Sequence, residues 1–320
     1  MQVGVIGLGK VGVGISETLL AAGHDVIGYD VSESSRQQAA DVGVDVASDN
    51  ATVAEQASTI ILSLPHPEIS REVVETICEY GTPETVVFDT STLSPSTAEA
   101  LAERATTAGM YYHDCPITGG AVGAAAGELT VMAGGDDERL RDHRDVLSAI
   151  AEDVYHIGNV GDAQLVKLIH NQVGQTVLLI FVEGLFLAEE RGVDPAVLYR
   201  TLRHYTQIYD DKLDAFFGNA FDEAFVDHFV PESKDVRLGP DQQFNLREAH
   251  KDLVELEELA DAHDVHYPVG SFAEQEHQMA MNAGYGDRPH PDVLELYEEL
   301  FQTDVESRAD RREKSRGQIL

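Results

Sequence analysis

Two hydrophobic patterns alternate along the first half of the chain. Short apolar runs, typical of buried strands, are separated by stretches whose apolar residues recur at helical spacing. The predicted strands are Gln2–Gly7, Asp25–Asp30, Thr59–Leu64, Thr85–Asp89 and Met110–His113. The predicted helices between them are Val11–Ala22, Pro67–Tyr80 and Ser94–Ala108. This alternation predicts βαβ units with right-handed crossovers, and therefore an α/β fold built on a doubly wound parallel sheet.

The pattern changes near residue 160. Leu129–Ala133 and Val154–Ile157 are predicted as further edge strands, with a helix over Asp136–Ile150 between them. One long, apolar-rich helix is predicted from Asp162 to Arg191, where Gly192 ends it. Later apolar stretches have helical spacing, which predicts helices at Pro195–Tyr205, Asp211–Phe217, Asn245–His263, Gly270–Ala283 and Pro291–Phe301.

These patterns predict three parts of the chain. An α/β domain over residues 1–160 is followed by an all-α domain over residues 161–303, which is entered through the long helix. Residues 304–320 are polar and charged and are predicted to form a loose tail.

The net charge of the chain argues against some classes of binding partner. The chain has 57 acidic residues against 22 basic ones, a formal charge of −35 at pH 7. An acidic surface repels nucleic acid and anionic membranes, so neither is expected as a partner. The acidity extends over the whole length, and only six residues are lysine against sixteen arginines. This favours adaptation to a salt-rich cytoplasm, where a Debye length of ~3 Å at about 1 M salt removes self-repulsion. An acidic protein of an ordinary cell is the alternative.

The apolar runs are too short to span a bilayer, and the first residues show no secretion signal. Cys78 and Cys115 are too few for a disulfide framework or a cysteine-based zinc site. A reducing cytoplasm is therefore the expected location. No H-E-x-x-H or comparable ligand spacing occurs, so no metal is expected.

A glycine motif joins the first predicted strand to the first predicted helix. Its residues are Gly7, Leu8, Gly9, Lys10, Val11 and Gly12. In this context G-x-G-x-x-G predicts dinucleotide binding, with glycines for a tight turn, close approach to a pyrophosphate and close helix packing. Asp30 ends the second strand, where a carboxylate binds the ribose hydroxyls and repels a 2′-phosphate. NAD is therefore expected rather than NADP, and Arg36 is the alternative contact for a 2′-phosphate.

Further candidates follow the other strands. Leu64 and Pro65 end the third strand, and Ser91 and Thr92 follow the fourth, so their amides and hydroxyls are expected to contact cofactor and substrate. After the fifth strand, a turn of Thr118, Gly119 and Gly120 offers backbone N–H groups and one hydroxyl to a carboxylate. A turn that only reverses the chain is the alternative.

Lys167 is the candidate acid–base group. It lies in the first turns of the long helix, and Asn171, four residues on, lies on the same face. Val166, Leu168 and Ile169 surround the lysine, and desolvation lowers an ammonium pKa toward the range useful for proton transfer. A surface lysine without a role is the alternative.

These motifs together resemble the β-hydroxyacid dehydrogenases, which include 3-hydroxyisobutyrate dehydrogenase, tartronate semialdehyde reductase and, more distantly, 6-phosphogluconate dehydrogenase. The resemblance covers residues 1–300. It depends on five motifs in the family's order: Gly7–Gly12, Asp89–Thr92, Asp114–Gly120, Gly161–Asn171 and Lys251–Leu253.

The resemblance implies a Rossmann domain joined by a long helix to an all-α domain, and a homodimer or homotetramer formed through the helical domain. It implies that Lys167 is the general acid–base and that Lys251 closes over the nicotinamide end of the cofactor. The implied substrate-binding residues are Ser91, Thr118, Gly119, Gly120 and Asn171.

Three positions depart from the family pattern. Val11 stands where the family usually has methionine. His170 stands where members with short substrates usually have asparagine and 6-phosphogluconate dehydrogenases have histidine, so it either binds substrate or packs the helix. Gly174 occupies the place of a glutamate that the decarboxylating enzymes carry.

The expected reaction is hydride transfer between NAD and a small β-hydroxy acid of the 3-hydroxyisobutyrate type. Lys167 would exchange the hydroxyl proton while Asn171 holds the reacting oxygen. One alternative is a 6-phosphogluconate-type oxidative decarboxylase, with Arg247, Arg288 and Lys251 for a sugar phosphate. Another is a non-catalytic NAD-binding protein. Related imine reductases usually lack the lysine. The identity of the acid is open, because substituent specificity comes from scattered contacts of the helical domain.

Overall fold

The computed structural model describes residues 1–190, 192–193, 245–263, 266–288 and 296. The helices predicted at 195–205 and 211–217 and the tail 304–320 lie outside the described residues, as does the helix predicted at 291–301 except for residue 296.

The described chain alternates strands and helices up to residue 158. The strands are β1 Gln2–Ile6, β2 Asp25–Tyr29, β3 Asp45–Val46, β4 Thr59–Leu62, β5 Val86–Asp89, β6 Tyr111–Asp114, β7 Ile117–Thr118, β8 Leu129–Gly134 and β9 Ala151–Gly158. The helices among them are α1 Lys10–Ala21, α2 Glu33–Asp41, α3 Asn50–Gln56, α4 Pro67–Tyr80, α5 Pro95–Thr107, α6 Gly120–Ala126, α7 Asp137–Asp142 and α8 Arg144–Ile150. Three longer helices follow: α9 Asp162–Glu190, α10 Leu246–Ala262 and α11 Pro268–Asn282.

The sheet confirms the predicted fold class. Its first six strands are parallel in the order β3-β2-β1-β4-β5-β6. β8 then pairs antiparallel with β6 and β7, and β9 pairs parallel with β8. The strand order reverses between β1 and β4, and the carboxyl ends of the strands at such a point form the ligand-binding edge of a doubly wound sheet. Hydrophobic clusters cover both faces of the sheet, which explains the continuously apolar strands.

The structure adds elements that the hydrophobic pattern does not predict. α2 buries only Ala39, so its sequence has almost no apolar period. α6 consists of glycine, alanine and one valine because it packs very closely on α1: a Cβ on Gly14 would lie 2.7 Å from the backbone nitrogen of Ala125.

The single helix predicted over residues 136–150 is wrong. The backbone leaves helical geometry at His143, whose φ is −108° and ψ 19°, and this residue separates α7 from α8. The His143 ring is hydrogen-bonded at Nδ1 to the carbonyl of Arg139, 2.9 Å away, so a side chain competes for a helical acceptor.

The chain divides into two compact units. One includes Met1–Val173 and Glu248–Glu274, and the other includes Asn245–Arg247 together with the residues that begin at Gly174 and at Gln275. The domain boundary at residue 160 stays a prediction. None of the described helices is long and apolar enough to cross a membrane.

Candidate functional site

The glycine motif forms the turn from β1 into α1. Gly7 has a φ of 91°, and a Cβ there would lie 2.2 Å from the carbonyl oxygen of Ser63. A Cβ on Gly12 would lie 1.9 Å from the carbonyl oxygen of Gly7, so both positions require glycine. A Cβ on Gly9, in contrast, would meet no atom within 4 Å. The space above Gly9 is open, and this fits the close approach of a pyrophosphate to the helix N-terminus.

The other residues of the motif are arranged around that turn. Leu8 is fully buried, whereas Lys10 is exposed and Val11 is half-buried in the first turn of α1. The buried Leu8 side chain therefore anchors the turn in the core. The exposed residue that follows Gly9 is the polar Lys10.

Asp30 follows β2 and is held in place by the backbone. Its Oδ2 accepts a hydrogen bond from the Leu8 N–H at 2.7 Å, and its Oδ1 accepts one from the Ser32 N–H at 2.8 Å. Each carboxylate oxygen can accept a second bond, so the arrangement fits a ribose diol. Arg36 donates to the carbonyls of Asp30 and Val31 at 2.7 and 3.0 Å, which brings its guanidinium to the same strand end.

Ser91 connects two strand ends at the carboxyl edge of the sheet. Its hydroxyl accepts a hydrogen bond from the Leu64 N–H at 3.0 Å, and its own N–H donates to Oδ1 of Asp89 at 2.9 Å. Asp89 is fully buried, and this burial raises its pKa. The predicted residues Ser91 and Leu64 are therefore in direct contact. Pro65 is exposed.

The turn predicted at Thr118–Gly120 is instead a junction between a strand and a helix. Thr118 ends β7, Gly119 caps α6 with a φ of 110°, and Gly120 begins the helix with a φ of 57°. We call these three residues, which the sequence predicts to bind a carboxylate, the carboxylate cradle. The Thr118 hydroxyl is hydrogen-bonded to Nε2 of His170 at 3.3 Å. Desolvation, and then the positive charge of Lys167, lower the pKa of His170 to about 4, although the surface of the residue is exposed. A neutral imidazole therefore lies beside the carboxylate cradle.

Lys167 is buried, with 8% of its surface exposed. Burial lowers the pKa of Lys167 to about 8, with the charge of Asp252 raising it and that of Lys251 lowering it. Lys251 donates from Nζ to the carbonyl of Thr92 at 3.0 Å and lies 3.4 Å from Oδ1 of Asp252. The predicted cofactor-side lysine is therefore close enough for its charge to act on the pKa of the predicted acid–base lysine.

Asp252 is a site residue that the sequence did not single out. It is 4% exposed, and its Oδ2 accepts a hydrogen bond from Nδ2 of Asn171 at 2.6 Å. One carboxylate thus interacts with Lys167, Asn171 and Lys251. The available signal was its position next to Lys251. In a chain with 57 acidic residues, one more aspartate does not stand out.

Comparisons with known proteins agree with these features. Residues 2–158 match the family model described as the NAD binding domain of 6-phosphogluconate dehydrogenase. An NAD-dependent L-serine dehydrogenase of Pseudomonas aeruginosa is 28% identical over 305 residues, which cover 93% of this chain and 98% of that protein. An uncharacterized oxidoreductase of Synechocystis is 31% identical over 205 residues, which cover 62% of this chain and 71% of that protein.

A solved structure extends the similarity to the whole fold. The 3-hydroxyisobutyrate dehydrogenase of Mycobacterium tuberculosis, determined with L-serine, superposes with a TM-score of 0.73 at 27% identity. The match covers 92% of this chain and 98% of that one.

Proposed function

Because this chain belongs to the β-hydroxyacid dehydrogenase family of nicotinamide-dependent oxidoreductases, we propose that it oxidises a small β-hydroxy acid with Lys167 as general acid–base. The observation that supports this assignment is the buried lysine with a pKa near 8, beside a buried carboxylate and an amide. A group with that pKa exchanges a proton near neutral pH in either direction. NAD is the proposed cofactor, because two backbone N–H groups fix the Asp30 carboxylate at the end of β2, and a carboxylate at that place in this fold repels a 2′-phosphate.

The nicotinamide supplies the hydride acceptor when the cofactor is bound. In the oxidation direction, neutral Lys167 takes the proton of the substrate hydroxyl at Nζ. In the reduction direction, its ammonium returns that proton to the developing alkoxide. Asn171 orients the reacting oxygen, and its amide is itself held by Asp252. The carboxylate cradle binds the acid group of the substrate and so aligns its carbinol. Lys251, which donates from Nζ to the Thr92 carbonyl, would close over the nicotinamide end of the cofactor.

We propose serine-like and 3-hydroxyisobutyrate-like acids as the substrate class. The L-serine dehydrogenase of Pseudomonas and the L-serine-bound mycobacterial enzyme support it, since both are similar over most of the chain. The neutral His170 beside Thr118 offers one hydrogen bond to a substituent without demanding a second negative charge. We also propose that the chain forms a homodimer or homotetramer through the helical domain. Sedimentation velocity measures this oligomeric state.

A substrate panel tests the proposed function. The candidates are 3-hydroxyisobutyrate, L-serine, glycerate, 3-hydroxypropionate and 6-phosphogluconate, each assayed with NAD and NADP at low and high KCl. We expect turnover of at least one unphosphorylated 3-hydroxy acid. Turnover of none of them, with Lys167 intact and NAD bound, would contradict the proposal and favour a non-catalytic NAD-binding protein.

A 6-phosphogluconate-type decarboxylase is the second candidate. His170 favours it, because the phosphogluconate enzymes resemble this chain at that position, and so does the matched NAD-binding family. Arg247, predicted to meet a sugar phosphate, pairs instead with Asp287, with Nη2 and Oδ1 3.1 Å apart. Release of carbon dioxide from 6-phosphogluconate in the panel would select this candidate.

A further inference from the structure

A buried carboxylate caps the N-terminus of α9, the helix that carries Lys167. Asp114, the last residue of β6, is fully buried, and its Oδ2 accepts hydrogen bonds from the N–H groups of Gly161 and Gln164 at 3.1 and 3.0 Å. These are N–H groups at the start of α9, which have no partner within the helix. Asp114 therefore caps α9 from the sheet rather than from the helix's own chain segment.

Gln164 makes a second connection in the same turn. It is fully buried, its Oε1 accepts from the Leu93 N–H at 2.9 Å, and its Nε2 donates to the Ser91 carbonyl at 3.0 Å. Both bonds reach the backbone of the segment that contains Ser91 and Thr92. We call Asp114 and Gln164 the α9 clamp. Four buried hydrogen bonds thus join the first turn of α9 to the ends of β5 and β6.

We propose that Asp114 and Gln164 are positioning residues, which set the place of Lys167 relative to Ser91 and Thr92. Lys167 lies one turn after Gln164, and its long side chain places the ammonium only as accurately as the backbone of that turn is held. A displacement of about 1 Å in a reacting group costs up to ~10²-fold in rate. Because this inference uses the role of Lys167, it depends on the proposed function.

Asp114 stays ionised at an assay pH of about 8, although its surroundings raise its pKa. Burial raises its pKa to about 6, the bonds from Gly161 and Gln164 act in the opposite sense, and the charge of Asp89 raises it further. Asp89 lies directly across the strand pair in register with Asp114. Burial also raises the pKa values of Tyr112 and Cys115, so both stay neutral. At an assay pH of about 8 Asp114 is ionised and accepts both bonds.

Gln164→Leu tests the clamp, because leucine has a similar volume but makes neither of the two side-chain hydrogen bonds to Ser91 and Leu93, while the backbone bonds to Asp114 stay. Ile77→Val is the matched control: Ile77 is a fully buried core residue of α4, away from the clamp, and its shortening is also expected to lower the melting temperature. We expect Gln164→Leu to lower kcat by about 10- to 100-fold with the KM for NAD within about twofold. The Ile77→Val variant should have a lower melting temperature than wild type and an unchanged kcat.

Asp114 supplies the second pair of variants. Asp114→Asn keeps one oxygen that accepts both N–H groups, whereas Asp114→Ala removes it. We expect the asparagine variant to retain several times the kcat of the alanine variant at equal folded fraction. Equal kcat in the two variants, or an unchanged kcat in Gln164→Leu, would overturn the positioning role.

Hydrogen exchange separates failure of this inference from failure of the proposed function. Residues 159–168 should exchange faster in Gln164→Leu than in wild type and in Ile77→Val, with no substrate present. Unchanged exchange overturns the clamp, whether or not the enzyme turns over. If the wild type oxidises no hydroxy acid but the exchange is faster, the clamp exists and the proposed function is wrong. If Gln164→Leu does not fold, Asp114→Asn is compared with wild type by the same two measurements.

Discussion

Replacing Lys167 by a residue that cannot exchange a proton is predicted to lower turnover. Lys167→Ala should lower kcat by ~10²-fold or more, the usual effect of losing a general acid–base. NAD binding should change little, because the phosphate turn at Gly7 and Gly9 is built by β1 and α1. Stopped-flow turnover and NAD titration measure the two effects. Lys167→Arg should not restore activity, since guanidinium keeps its proton near neutral pH. An active arginine variant would show that the residue supplies only positive charge.

The pH dependence of the two directions should be opposite. The pKa of Lys167 is about 8, and oxidation needs the neutral amine, so kcat for oxidation should rise with pH and level off above about 8. Reduction needs the ammonium, so its kcat should fall over the same range. Rate profiles between pH 6 and pH 10 in both directions check this. Profiles with the same sign in both directions would assign the proton transfer to another group.

Asp252 is predicted to influence both Lys167 and Asn171. Asp252→Asn removes a negative charge that raises the pKa of Lys167, so the midpoint of the oxidation profile should move to lower pH. It also replaces the acceptor for Asn171, and kcat should fall by about 10-fold. Asp261→Asn, an exposed aspartate on the same helix α10, is the control for loss of one charge. A midpoint that stays in place would mean that Asp252 acts only in folding.

At the level of elements, the junction between β2 and α2 is predicted to select the cofactor. The Asp30 carboxylate is fixed by two backbone N–H groups, so it cannot turn away from a 2′-phosphate. We expect kcat/KM to favour NAD over NADP by at least about 10-fold. Asp30→Ser should raise the use of NADP, because the Arg36 guanidinium already lies beside the same strand end. Asp41→Ser, which removes an exposed charge from the end of α2, is the control. A wild-type preference for NADP would contradict this prediction.

The long helix α9 is both anchored to the sheet and the carrier of two candidate site residues. Its first turn is held by Asp114 and Gln164, and its next turns present Lys167 and Asn171 on one face. A helix keeps its residues at a fixed spacing, so anchoring one turn determines the position of the next. The orientation of Lys167 thus follows from the way in which this helix begins.

The whole molecule is predicted to need salt. A formal charge of −35 repels itself in the compact state, and this repulsion falls as the Debye length shortens to ~3 Å at about 1 M salt. Thermal unfolding followed from low to multimolar KCl should therefore give a rising melting temperature. Sucrose in place of KCl is the control, because it acts on hydration without screening charge. A melting temperature that is flat or falls with KCl would leave the acidity without this explanation.

Local sequence was sufficient for five of the parallel strands and for the glycine turn after β1. The strands β1, β2, β4, β5 and β6 are apolar runs bounded by helical stretches, and Gly7, Gly9 and Gly12 follow β1 directly. In each case the residues that create the signal are neighbours in the chain. The weakly patterned segments gave no such signal: α2 is polar, and α6 is made of small residues because of its close packing on α1.

The candidate site also contains residues that the sequence predicts and residues that only the tertiary structure brings together. Lys167 and Asn171 are predictable from the sequence, because a spacing of four on a helix places two side chains on one face whatever surrounds them. Their partners are not. Asp252 meets Asn171 across 81 positions of sequence, and Gln164 meets Leu93 across 71. No periodicity relates residues so far apart, since their contact arises only when β5, α9 and α10 pack together. Burial has the same origin, so the lowered pKa of Lys167 is a property of that packing rather than of the residues beside it in the chain.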